Sequence, residues 1–355
     1  MKNRIQGKGY IVSESFDFWT CGGISALVCL TALCFAWFVD LGAARVVVGL
    51  GAIMLLCQAV FNWPHFMGAY SLLYRDQGNL RRYPVATIYV PLALLGVIAL
   101  AWGVGSPEGL IVHQGTAYLL WLLAAFYLAW HYTGQAWGMM AVYARLDGFA
   151  FEPMERTAFR LCLRILLVWH VVWGAHDLPV EWLGPLHTHL PLLQKLINLM
   201  AFGGFLIGAA LWYRIALRIG RMPDRRALIA WFVIYLWYLL LYWIPEAFLI
   251  VQFSHALQYV PFPLRSELNL SGRRGKLAIA WGLRYYLLLI AAGLLLFYLP
   301  ERVEGPHQGY GLALMFACAI SVHHYFVDSC IWHIRHVEVG RLLFAHLKGR
   351  HGYVE

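Results

Sequence analysis

Apolar runs long enough to cross a bilayer recur from one end of this chain to the other, and no other feature restricts its fold as much. They fall at 18–40, 44–72, 85–105, 116–143, 159–177, 194–213, 227–244, 246–262, 277–299 and 311–332. Each is close to the ~20 residues that a helix needs to cross roughly 30 Å of hydrocarbon. Hydrophobic residues make up 61% of the 355 and charged residues 13%, so no stretch is left over for a separate soluble domain. The expected fold is all-α: a polytopic transmembrane helical bundle of about ten spans, forming a single integral-membrane domain over 1–355.

The break between the seventh and eighth spans is read at "WIPEAF", where Pro245 removes a backbone donor and Glu246 adds a charge. The distribution of basic residues requires that break. Arg75, Arg81 and Arg82 follow the second span, Arg145, Arg156 and Arg160 the fourth, and Arg214, Arg218, Arg221, Arg225 and Arg226 the sixth. With a break at Pro245, Arg265, Arg273, Arg274 and Lys276 fall on the same side, as do Arg335, Arg341, Lys348 and Arg350. Both termini are then cytoplasmic, and a bacterial inner membrane is the expected location. The N-terminal segment "MKNRIQGKGYIVSESFDFW" is polar for too long to be a signal-peptide n-region, so the first span is expected to be retained.

Other classes are set aside by composition. The net charge of +9 is spread over short loops and carries no aromatic-basic module, which excludes nucleic acid as a partner. The seven cysteines lie in apolar segments without a CxxC pair, which argues against disulfides or a thiolate zinc site.

The chemistry-bearing residues are histidines. An imidazole in hydrocarbon is costly unless it is paired, liganded or facing water. Yet "FNWPHFMGAY" carries His65, "WHYTGQAWG" carries His131, "VWHVVWGAHD" carries His170 and His176, "QFSHALQYV" carries His255, and "SVHHYFVDSCIWHIRH" carries His323 and His324. At ~1.5 Å of rise per residue, His65, His255, His323 and His324 fall in the cytoplasmic half of their spans and His131 nearer the midplane. A lone histidine reads as an interhelical hydrogen-bonder, whereas several at one depth read as ligands of a metal. Asp328 lies four residues after His324 and Gln135 four after His131. Each therefore shares a face with its histidine and is placed to orient the ring from behind. His333 and His336 read as interface residues beside Arg335.

Imidazoles with few carboxylates suit iron, copper or zinc. Non-haem iron with open positions would act on dioxygen, and a pair of axial histidines would hold haem b for electron transfer. A His/Asp proton relay in a transporter is a third reading.

The order "WPHF", "WHY" and "FLIVQFSHALQYV" resembles the Brp/Blh-type membrane carotenoid-cleaving dioxygenases and, more broadly, histidine-rich integral-membrane non-haem iron oxygenases. The resemblance covers a few short patches. It implies an iron-dependent membrane oxidoreductase, an oxygenase whose ligands come from several helices. His65, His131 and His255 match its PHG-like, WHF/WHW and later histidine elements. Two departures stand out: PHF replaces PHG, and Tyr259 occupies the position of the second histidine of the last element, so that His323 or His324 would replace it. The metal ligands expected are therefore His65, His131, His255, His323 and His324, with Asp328 and Gln135 behind them. The expected partners are dioxygen, a lipid-soluble isoprenoid or acyl substrate, membrane lipids and an electron donor.

Overall fold

A computed structural model describes residues 9–38, 51–103, 114–176, 178, 183–273, 275–304, 311–332 and 337–347. Among them there are helices and connections but no strand. The principal helices are α1 (Ile24–Phe38), α2 (Trp63–Arg75), α3 (Val90–Gly103), α4 (Gln114–Leu146), α5 (Pro153–Ala175), α6 (Leu190–Ile219), α7 (Arg225–Trp243), α8 (Phe248–Tyr259), α9 (Pro261–Ser271), α10 (Gly275–Gly293) and α11 (Leu312–Ile331). Among the described residues, six stretches, Glu14–Trp37, Pro153–Ala175, Gly184–Ile219, Arg225–Trp243, Gly275–Glu304 and Leu312–Ile331, are long and apolar enough to cross a membrane. On α6, Leu192, Leu196, Leu199, Phe202 and Leu206 are exposed while Gly204, Gly208 and Leu211 are buried. An apolar outside on a packed inside is the pattern of a helix whose solvent is lipid. The protein is an integral membrane protein.

The chain divides into two compact units, Met1–Gly49 with Ala129–Ser254, and Leu50–Leu128 with His255–Glu355. In the first unit α5 packs along α6, and Trp231 of α7 occupies the space above Gly208. Arg226 is fully buried there and is paired to Asp224 at 2.6 Å and Asp17 at 3.6 Å, with Nη2 also donating to the Gly9 carbonyl. Asp17 in turn accepts the amides of Ile11 and Val12 at 2.6 and 2.9 Å. These buried charges are tolerated because each has a partner. After α7 the backbone leaves the helical region at Ile244 (φ −138°, ψ 79°), and a short turn over Pro245–Ala247 leads into α8.

In the second unit α2 is the central element, packed against α9, α10 and α11, with α11 also against α3. Phe66 and Met67 meet Leu289 of α10, and Ala69 and Leu73 meet Tyr259 and Val327. Gly293 lets α10 approach Trp63 so closely that a Cβ there would stand 2.6 Å from the Trp63 Cβ.

Three π-helical turns in this unit share one cause. Gln58–Asn62, Val85–Tyr89 and Leu294–Tyr298 each end two residues before a proline, namely Pro64, Pro91 and Pro300. A proline inside a helix cannot donate to the carbonyl four residues back, and its ring crowds that carbonyl. The chain widens by one residue, and the amide just before each proline bonds five residues back instead, Trp63 to Gln58, Val90 to Val85 and Leu299 to Leu294. The carbonyls released in this way take side-chain donors. The Tyr286 hydroxyl donates to Val60 O at 2.8 Å and the Tyr74 hydroxyl to Thr87 O at 3.4 Å.

Candidate metal centre

His65 stands two residues into α2, directly after the proline whose π turn shifts the helix phase. One extra residue turns everything beyond it by about 100°. His324 and Asp328 lie one turn apart on a single face of α11. Between them they form a compact buried group in the second unit. His65 Nε2 is 2.7 Å from His324 Nε2, and His324 Nε2 is 3.6 Å from Asp328 Oδ2. One ligand atom from each of the three lies within 4.8 Å of those of the others.

Two aromatic rings from the end of α8 close on this group. The His255 ring packs against His65 with centroids 4.9 Å apart, and the Tyr259 ring lies closer still, at 4.2 Å. The Tyr259 hydroxyl donates to Asp328 Oδ1 at 3.0 Å and accepts from Trp332 Nε1 at 2.8 Å. On another side Phe66 stands 4.5 Å from the His324 ring and 5.3 Å from Phe297, which stacks on Trp63. His65, His255, Tyr259 and His324 are all buried, as is Asp328.

The two adjacent histidines of α11 take separate directions. His323 turns to the Ala86 carbonyl, 2.7 Å from its Nε2, and stacks on Tyr70 at 5.1 Å. Ala86 O is, beside Thr87 O, a carbonyl that the π turn at Val85–Tyr89 releases, because Val90 N bonds to Val85 O instead. Tyr70 fixes the same stretch of α11 by donating to Ile320 O at 2.9 Å. With His323 held in this way against Tyr70, His324 is the one of the pair that meets His65.

Of the residues singled out in the sequence, the structure therefore groups His65, His255, His324 and Asp328, and sends His323 to a backbone carbonyl. His131 and Gln135 lie in the part of α4 that belongs to the first unit, where His131 is buried and Gln135 half-buried. His333 and His336 lie outside the described residues. Trp332 is a site residue that the sequence does not single out, and Tyr259 is marked there only as standing where a second histidine would be. Their spacing carries the signal, since Tyr259 follows His255 by four and Trp332 follows Asp328 by four, each on the same helical face.

The group fits a transition-metal ion. Two nitrogen ligands ~2.1 Å from one ion and at right angles around it stand about 3 Å apart, close to the 2.7 Å found between His65 and His324. Two imidazoles with one carboxylate form the donor set of a facial triad, which leaves other positions around an ion for further ligands. Comparison of the chain with protein-family models, with curated proteins and with solved structures finds no match.

Proposed function

We propose that His65, His324 and Asp328 hold a transition-metal ion, iron before copper, and that the protein is a membrane oxidoreductase oxidising a lipid-soluble isoprenoid or acyl substrate with dioxygen. The observation that carries this reading is the buried approach of two imidazoles to 2.7 Å with a carboxylate one turn away, inside an apolar unit. Two imidazoles that already meet in a hydrogen bond and a carboxylate one turn away bring nitrogen and oxygen lone pairs together in an apolar unit, an arrangement that a cation shared among them would stabilise. The ion supplies the binding and activation of dioxygen. The chain's own residues hold and orient it, and Trp63, Phe66 and Phe297 form an apolar wall beside His324 that excludes water and suits a long unsaturated chain.

The spacing favours a single ion over haem b at this pair. Axial nitrogens on opposite sides of a haem iron stand about twice a metal–nitrogen bond apart, ~4 Å, with the macrocycle between them. The proposal includes about ten spans, both termini on the cytoplasmic side, and residence in a bacterial inner membrane, from the side on which the arginine-rich loops fall.

Oxygen uptake by the purified, iron-loaded protein, offered isoprenoid polyenes and unsaturated acyl lipids in detergent, tests the activity. Uptake that depends on one of these lipids and is lost in His324→Ala supports it. Equal uptake by the variant, or none with either lipid class, refutes it.

A further inference from the structure

We infer that Tyr259 is a positioning residue that fixes which oxygen of Asp328 is turned toward the metal, and that Trp332 fixes the direction of the Tyr259 proton. The inference rests on the metal reading above and deepens it. Its basis is the order of donors and acceptors along one face of α11.

His324 and Asp328 share one side of α11, and Trp332, where the helix ends, turns its indole to the same Tyr259 hydroxyl that meets Asp328. Tyr259, from the end of α8, fills the space between them, with its ring against His65 and its hydroxyl between Asp328 and Trp332. An indole nitrogen can only donate. The Trp332 Nε1–H at 2.8 Å therefore takes an acceptor position of the phenol oxygen. The one proton of the phenol is then directed to Asp328 Oδ1, at 3.0 Å. With Oδ1 holding that bond, Oδ2 is the oxygen turned toward His324, 3.6 Å from its Nε2.

Carboxylates bind metals through one oxygen or two, and the choice changes coordination number and charge donation. A phenol committed to Oδ1 selects binding through Oδ2 alone.

Cobalt(II) is a suitable probe, because its visible spectrum reports coordination number and is independent of turnover. The metal-free protein in detergent is titrated with cobalt for wild type, Tyr259→Phe and Trp332→Phe. The expected result is a cobalt affinity weakened 10–100-fold in Tyr259→Phe, the usual effect of removing the hydrogen-bond partner of a metal ligand. Its absorption bands should shift as the second carboxylate oxygen enters, with circular dichroism unchanged. Trp332→Phe should shift the bands in the same direction with a smaller loss of affinity, and it carries the test if Tyr259→Phe does not fold. Wild-type affinity and spectrum in a folded variant would overturn the positioning role and leave the metal reading intact. If the wild-type protein binds no cobalt, the metal reading fails and the inference fails with it.

Discussion

Gly293→Ala should destabilise the protein at the point where α10 supports the end of α2 that carries His65. A Cβ at this position would stand 2.6 Å from the Trp63 Cβ and 3.2 Å from the Trp63 carbonyl carbon. Neither atom can turn away by a rotamer change, so α10 and α2 must separate. Overpacking of this kind costs typically 1–3 kcal/mol. Alanine in place of a helical glycine returns about 0.5–1 kcal/mol. The net effect is a loss on the order of 1–2 kcal/mol, a roughly 5- to 30-fold fall in the ratio of folded to unfolded protein. Gly96→Ala is the matched control, because α3 leaves nothing within 4 Å of its Cβ position and only the gain remains. Thermal unfolding in detergent, followed by loss of the soluble monomer, reads both variants side by side. The expected order of midpoints is Gly293→Ala below wild type and Gly96→Ala at or above it. Because Trp63 is two residues from His65, metal occupancy should fall in Gly293→Ala as well. A Gly293→Ala protein as stable as the Gly96→Ala protein would refute the close seating of α10 on Trp63.

Two further outcomes are expected. His323→Ala should lose the bond to the Ala86 carbonyl, at a cost of about 0.5–1.5 kcal/mol in thermal or denaturant unfolding. It should retain its metal, whereas His324→Ala should not, and equal metal loss in the two variants would contradict the division of roles. Arg226→Met leaves Asp224 and Asp17 buried without their cation, which should cost about 3–5 kcal/mol and show as a large fall in folded yield and in unfolding midpoint.

The apolar runs make the helices and the membrane legible, and the break at Pro245 is legible because proline cannot continue the backbone ladder. The position of Asp328 is legible too, since a spacing of four from His324 fixes a common face whatever the packing, but its expected place behind the ring is not: its Oδ2 lies 3.6 Å from the same Nε2 that meets His65. Nor is the choice between His323 and His324. Adjacent residues differ by about 100° around a helix, and both are equally costly to leave unpartnered in lipid. The choice is made by the carbonyl of Ala86, which is available only because Pro91 imposes a π turn on Val85–Tyr89. A proline inside an apolar run shows that a hydrogen bond is lost, but it does not show that the helix will gain a residue and rotate every side chain beyond the turn. The same holds for His65, whose direction is set by the turn ahead of Pro64. Tyr259 and Trp332 are hidden for a different reason. Aromatic residues are common in membrane spans, and their polar atoms identify themselves only once a partner is in place.

Metal content tests the central claim most directly. Wild-type protein and His324→Ala, purified in parallel, are analysed by elemental mass spectrometry alongside their absorption spectra. About one iron per chain in the wild type, without a haem band, and its loss in the variant are the expected result for a site built on two imidazoles and a carboxylate. A wild-type protein that takes up no transition metal even when reconstituted, or a His324→Ala protein that keeps its full complement, would contradict it.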